Sequence, residues 1–322
     1  MDAIAQDHYG LPDVLELRKL AVPTPTSDQV LLRVKAASLN MYDWHVTTGM
    51  PRMARLVVGV LRPKNPVPGA DVAGIVEAVG PDVTRFRAGD EVMGEIGSGA
   101  FAEYAVAAER RLVKKPPRSS FEQAASVPLA GLTALQGLRD HAGLQAGQRV
   151  VVNGASGGVG TMAVMIAKAL GAEVTAVCST SKVDMVSSIG ADRVIDYTVD
   201  DYIELVADQH VLFDNVGDRG WKVTSRVLAP GGIDVMVTGP KHGWFGPMRE
   251  ILARRLAARR GDKRFANFTA SVKTEDLETL AGMLGSGAIV PVIERTYPLA
   301  ETPAALSYLG EGHALGKVVI VP

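Results

Sequence analysis

Residues 150–179 read VVVNGASGGVGTMAVMIAKALGAEVTAVCS, and the architecture of the chain follows from them. A β-branched run gives way to small residues in the pattern Ala155-x-Gly157-x-x-Gly160, with Gly154 immediately before it. An apolar helical segment then runs to Gly171, and EVTAVCS supplies a second strand. Strand, glycine turn, helix and strand within about 30 residues make a βαβ unit. The small residues of such a turn have separate tasks. One permits the tight bend, one lets a pyrophosphate approach backbone N–H groups, and one lets the helix pack on its strand. Exposed N–H groups and the helix dipole favour an anion there. Gly154, Ala155, Ser156, Gly157, Gly158, Val159 and Gly160 are therefore the expected phosphate-binding residues of a dinucleotide site. Ala155 replaces the first glycine of the fingerprint, and a bare glycine turn would fit many α/β proteins; the flanking βαβ context makes the reading specific.

The alternation continues through RVIDY, DDYIELVA, HVLFDNVG and GGIDVMVTGP, which predicts a doubly wound parallel sheet with helices on both faces. Residues 1–118 look different. Runs such as QVLLRVKAASL, VAGIVEAVG and FAEYAVAA, separated by Gly, Pro and Asp, predict a loop-rich β domain. The helical stretch SSFEQAASVPLAGLTALQGLRDHAGL leads from one to the other, and the C-terminal strand–helix–strand pattern can fold back onto the first domain. The expected fold class is α/β, a Rossmann doubly wound parallel sheet with a β-rich second domain. Its boundaries fall at 1–118, 119–265 and 266–322.

With 322 residues, 47% of them hydrophobic and 21% charged, the chain can bury two substantial cores. A formal net charge of -1 gives no global field to gather nucleic acid or a membrane surface, so a small-molecule partner is expected. One cysteine, Cys178, excludes an internal disulfide and any multi-cysteine metal site; it ends an apolar strand and reads as a buried small hydrophobe. No run of 18 apolar residues and no leader-like N-terminus is present, which predicts a cytoplasmic protein without stable membrane insertion. None of the six histidines has metalloprotease spacing.

About 20 residues past a dinucleotide loop, an NAD site presents an acid to the adenosine ribose. Here the chain reads Cys178-Ser179-Thr180-Ser181-Lys182, with no acid until Asp184. Hydroxyls and an ammonium suit a 2′-phosphate, which a carboxylate would repel, so Ser179, Thr180 and Lys182 favour NADPH over NADH. The same hydroxyls can cap the following helix, and the two roles are compatible.

AASLNMYDWHVTTG, VPGADVAGIVEAVGPDVTRFRAGDEVMG, GAFAEYAV, PLAGLTALQGL, NGASGGVG, GADRVIDY and EGHALGKVVIV together resemble one family over nearly the whole chain. It is the medium-chain dehydrogenase/reductases, in their zinc-free quinone oxidoreductase branch, with the nearest likeness to bacterial members of the reticulon-4-interacting-protein type. The resemblance implies a GroES-like catalytic domain from both chain ends, a Rossmann domain between them, a coenzyme in the cleft and a homodimer formed through the Rossmann sheets. It places Asn40 beside the nicotinamide, Tyr42 and Trp44 near the substrate, and Thr133 among the coenzyme contacts. Tyr197 and Lys317 match positions that approach the NADPH phosphates or adenosine. Thr238 and Gly239 end a Rossmann strand, where backbone groups can hold the carboxamide. Asp43 reads as structural. Zinc-dependent relatives carry cysteine where this chain has Asn40, histidine where it has Ala70 and commonly a cysteine near Leu129. Asn, Ala and Leu offer neither thiolate nor imidazole, so no metal is expected.

The implied reaction is hydride transfer from NADPH to a quinone or, second, an α,β-unsaturated carbonyl, with Asn40 and Tyr42 as candidate catalytic residues. A reduced quinone is a stabilised anion that solvent can protonate, so no dedicated acid is required. Enoyl reductases that use a tyrosine place it shortly after the glycine matching Gly49, where this chain reads Met50-Pro51, which weakens that alternative. A non-enzymatic NADPH-binding sensor of the same fold also remains open, and turnover with quinones, enals and enones separates the readings. Finally, GWFGPMREILARRLAARRGDKRF, residues 243–265, is strongly basic with Ile251, Leu252 and Leu256 at helical spacing. It reads as a helical flap beside the substrate or as a solvated surface helix.

Overall fold

The computed structural model describes residues 1–52, 55–237 and 246–322. They form two compact units, residues 133–271 with 288–290, and residues 1–132 with 272–287 and 291–322.

The Rossmann unit carries a six-stranded sheet in the order Arg193–Asp196, Glu173–Cys178, Arg149–Asn153, Gln209–Asp214, Leu228–Met236, Arg264–Asn267. Every neighbouring pair is parallel. The order reverses beside Arg149–Asn153, which is the switch point where open α/β sheets bind ligands. Val150, Val151 and Val152 are all buried, as a strand covered on both faces requires. The helix Gly158–Ala169 that follows is buried from Gly160 to Ala167, so it too is apolar on nearly every side. The sixth strand, Arg264–Asn267, has four residues with polar ends and so no readable periodicity. It falls where the sequence places the edge of the domain.

In the other unit the long strand Gln29–Ser38 is central, antiparallel to Asp71–Val79, Tyr104–Ala108 and Lys317–Val321. Glu91–Glu95 and Leu112–Lys114 extend the sheet on one side, and Ile293–Pro298 lies parallel to Lys317–Val321 on the other. Ile4, Leu32, Phe101, Val318 and Ile320 share its apolar core, so residues from both chain ends close one unit. This unit runs on to Leu132 rather than stopping at residue 118, because the helix Phe121–Ala125 packs on Gln29–Ser38 and Asp71–Val79.

Candidate functional site

The glycine turn of residues 154–160 shows why its residues are small. Gly154 sits at φ +76°, a left-handed conformation that glycine adopts without strain. Gly154 and Ala155 both donate their N–H groups to the Val177 carbonyl, which fastens the turn to the neighbouring strand. A Cβ at Gly160 would lie 2.1 Å from the Gly154 carbonyl oxygen, so only glycine lets this helix approach its strand. At Gly157 the nearest atom is 4.0 Å away, so the demand for a small residue there comes from whatever approaches from outside. Ser156, Gly157, Gly158 and Val159 are half-buried, and Gly157 is the helix N-cap. The first N–H groups of the helix have no partner within it and can receive a phosphate. Asn153 donates to Asp214 Oδ1 at 2.9 Å, and the same oxygen accepts from Val216 and Gly217 N–H groups, which fixes the adjoining strand end.

Ser179, Thr180 and Lys182 follow the strand Glu173–Cys178 as an N-cap and a 3-10 turn. Tyr197 is 59% exposed and donates its N–H to the Cys178 carbonyl, so it stands at the same edge. The acid that the sequence lacks before Asp184 is nevertheless present in space. Asp196 pairs in register with Cys178 and accepts hydrogen bonds from the Thr198 N–H and hydroxyl at 2.9 and 2.7 Å. Cys178 is buried, with its thiol pushed up to about 11 by burial, so it is no nucleophile at neutral pH. Thr133 lies in the helix Pro128–Gln136 and is half-buried. Thr238 and Gly239 lie outside the described residues.

In the other unit, Asn40, Asp43, Asp71 and Lys317 form a buried polar cluster. Lys317 Nζ donates to Asn40 Oδ1 at 2.6 Å and to the Leu39 carbonyl at 3.0 Å, with Asp71 Oδ2 at 3.8 Å. The Asn40 amide donates to Asp71 Oδ2 at 3.0 Å and to the Ser38 carbonyl at 3.2 Å. Asp71 Oδ1 accepts from the Leu129 N–H. Asp43 accepts from the N–H groups of Asn40 and Ala70, which caps the helix Met41–Thr48 and ties it to the next strand. Burial pushes Asp43 and Asp71 up to about 7, opposed for Asp71 by Lys317, while burial pulls Lys317 down.

This arrangement corrects one expectation and narrows another. Lys317 does not reach toward phosphates; it is 2% exposed, because its strand lies inside the sheet and its ammonium turns in to Asn40 and Asp71. Both amide donors and the amide oxygen of Asn40 are engaged within the cluster, so it positions the start of the helix that carries Tyr42. Tyr42 is 38% exposed, and burial raises its phenol above the ordinary value, so it remains an O–H donor. Trp44 packs on the apolar core of its own unit instead, its ring filling the space beside Gly310.

Sequence reasoning also missed Arg254. The basic segment does form a helix, Gly246–Ala258, but Arg254 is wholly buried within the Rossmann unit. Its guanidinium donates to Asp234 at 2.7 Å, Glu250 at 2.8 Å and the Arg219 carbonyl. An apolar partner would have shown as periodicity; a buried cation on a basic helix does not.

The N-terminal part of the chain, residues 26–117, matches the alcohol dehydrogenase GroES-like domain, and residues 189–320 match the zinc-binding dehydrogenase model. The chloroplast envelope quinone oxidoreductase homolog of Arabidopsis thaliana is 34% identical over all of this chain and 98% of its own length. The NADPH-dependent alkenal/one oxidoreductase of the same plant is 33% identical, over all of this chain and 80% of its own. The chain belongs to the quinone oxidoreductase branch of the medium-chain dehydrogenase/reductases. The quinone oxidoreductase of Coxiella burnetii superposes with a TM-score of 0.88 at 30% identity, covering 100% of this chain and 99% of that one. In this family setting Asn40, Ala70 and Leu129 mark the would-be zinc positions, and they do not fit the metal. Ala70 is a buried methyl group, Leu129 contributes only a backbone N–H to the cluster, and the Asn40 oxygen already faces the Lys317 ammonium.

Proposed function

We propose that this oxidoreductase is NADPH-dependent and zinc-independent, and that it reduces quinones or related electron-poor carbonyl compounds. The observation that carries the zinc-independent reading is the Lys317 ammonium, a buried cation already balancing Asp71 beside Asn40. A divalent ion there would meet a like charge and no thiolate or imidazole. The turn of residues 154–160 supports the coenzyme reading, since the space that a Cβ at Gly157 would occupy is open. Its N–H groups would hold the pyrophosphate, and Lys182 the 2′-phosphate. When bound, NADPH supplies hydride. The residues of the chain hold and orient: Asp43 and Asn40 fix the N-terminus of the helix, and the protonated Tyr42 phenol donates a hydrogen bond to the acceptor carbonyl as negative charge develops on it. Solvent then protonates the reduced quinone.

The NADPH-dependent alkenal/one relative favours a second acceptor class, enals and enones. Steady-state turnover with both classes, with NADPH and NADH, in chelator, tests the reading. Quinone or enone reduction that persists after chelation supports it; one tightly bound zinc per chain required for turnover would sink it. Replacing Lys182 with Ala should raise the KM for NADPH by roughly 10- to 150-fold, the equivalent of one charge-assisted hydrogen bond, and leave NADH nearly unchanged.

A further inference from the structure

The hydroxyls beside the coenzyme turn are not free to donate in any direction. Thr198 donates its hydroxyl proton to Asp196 Oδ1 at 2.7 Å, and its oxygen lies 2.7 Å from Thr180 Oγ1. Each hydroxyl has one proton, and an ionised carboxylate has none. Thr180 also hydrogen-bonds Asp196 directly through its hydroxyl, and that bond is the largest influence holding the carboxyl down, so the single proton of Thr180 is taken within this group. The hydroxyls of Thr180 and Thr198 in turn hold the Asp196 carboxyl below its ordinary range, so it stays an acceptor at neutral pH. Thr180 is left with lone pairs alone to offer a ligand. A 2′-phosphate is all acceptor and needs donors; a free ribose 2′-hydroxyl is a donor that suits lone pairs.

We infer that Asp196 is a coenzyme-selectivity determinant: by holding the Thr180 proton, it opposes the 2′-phosphate and admits the 2′-hydroxyl of NADH. This rests on the reading that residues 179–182 meet the adenosine ribose. Selectivity is then a difference between two residues, with Lys182 pulling toward NADPH and Asp196 pulling away from it. Position in sequence hides the second. Asp196 comes from the following βα unit and is brought to the site only by its pairing with Cys178.

The test compares adenosine 2′,5′-bisphosphate with AMP, which differ only in the 2′-phosphate, by calorimetry at one ionic strength. Asp196→Asn removes the charge but keeps an acceptor for Thr198, and should tighten bisphosphate binding by about threefold to tenfold with AMP changed less than about twofold. Asp196→Ala also releases the hydroxyl chain, so its gain should equal or exceed that of Asp196→Asn. The ratio of kcat/KM for NADPH to that for NADH should move the same way. If Lys182→Ala weakens bisphosphate binding while neither Asp196 variant tightens it, the selectivity role is wrong and the loop reading stands. If Lys182→Ala leaves bisphosphate binding unchanged, both fall.

Discussion

The glycine turn draws its residues from one unbroken run, 154–160, whereas the polar cluster of the other unit joins Asn40 to Lys317 across 277 positions. The first is held by backbone geometry. Gly160 is required because a carbonyl oxygen stands where its Cβ would be, and no charge is involved. The second is held by charge and by hydrogen bonds among side chains that only the fold brings together. A constraint on backbone contact leaves a spelling in the sequence, while a constraint on charge balance leaves no fixed spacing. The two regions should therefore fail differently.

The largest effect should come from breaking the cluster at its cation. Lys317→Met leaves Asp71 buried without its countercharge, and removing one partner of a buried pair costs about 3–5 kcal/mol. Urea unfolding measures it. Lys317→Arg should retain most of the stability, and adding Asp71→Asn to Lys317→Met should recover part of the loss. If Lys317→Met is neutral, the cluster is not held by charge. Among the described residues, the Rossmann unit holds a feature of the same kind at Arg254, and Arg254→Met should be comparably damaging through Asp234 and Glu250.

The pH dependence sharpens the contrast, since the turn has no titrating side chain and the cluster has several. Burial holds Asp43 at about 7 in the folded chain, against 3.8 when exposed. As its folded pKa is raised, its contribution to stability is fully present below about pH 4 and is lost as pH rises toward about 7. Within that window a single such group lowers the unfolding free energy by at most about 1.4 kcal/mol per pH unit. The difference between the wild-type and Asp43→Asn stability profiles should show that slope. A flat difference would mean that Asp43 is ionised throughout.

The turn should fail by contact instead. Gly160→Ala drives a methyl group into the Gly154 carbonyl and should cost about 1–3 kcal/mol together with coenzyme affinity. Gly157→Ala meets nothing within the protein closer than 4.0 Å, so stability should hold while coenzyme affinity falls. Thermal unfolding and a fluorescence titration with NADPH separate the two. Equal loss of stability in both variants would show that the turn is constrained by folding alone.

Most of the fold was legible because its signals are local. Val150, Val151 and Val152, the glycines after them and the apolar helix to Gly171 each announce a βαβ unit within a short window. The strand Arg264–Asn267 was not, since four residues with polar ends carry no period. At the candidate site, the backbone geometry of the turn is legible residue by residue, whereas the inward turn of Lys317 to Asn40 and the pairing of Asp196 with Cys178 are not. Both have one cause. Burial and strand register decide what those side chains meet, and neither is a property of the residues next to them in sequence.

The basic helix Gly246–Ala258 gives the smallest expected effect and the finest test of that lesson. Its charge suggests a solvated or mobile segment, but Arg254 anchors it in the Rossmann unit, so deleting the whole segment would strip Asp234 of its partner as well. Leu252 and Leu256 are 58% and 46% exposed and take no part in the anchor. Replacing both with Ser leaves Arg254 in place, and surface changes of this kind usually shift stability by no more than about 0.5 kcal/mol each. Any change in acceptor preference then belongs to the apolar face itself. If the helix is a flap over the acceptor, KM for bulky apolar quinones should rise while KM for NADPH stays put. If KM is unchanged for every quinone and enone tested, the face is surface, and Arg254 is the part of this helix that matters.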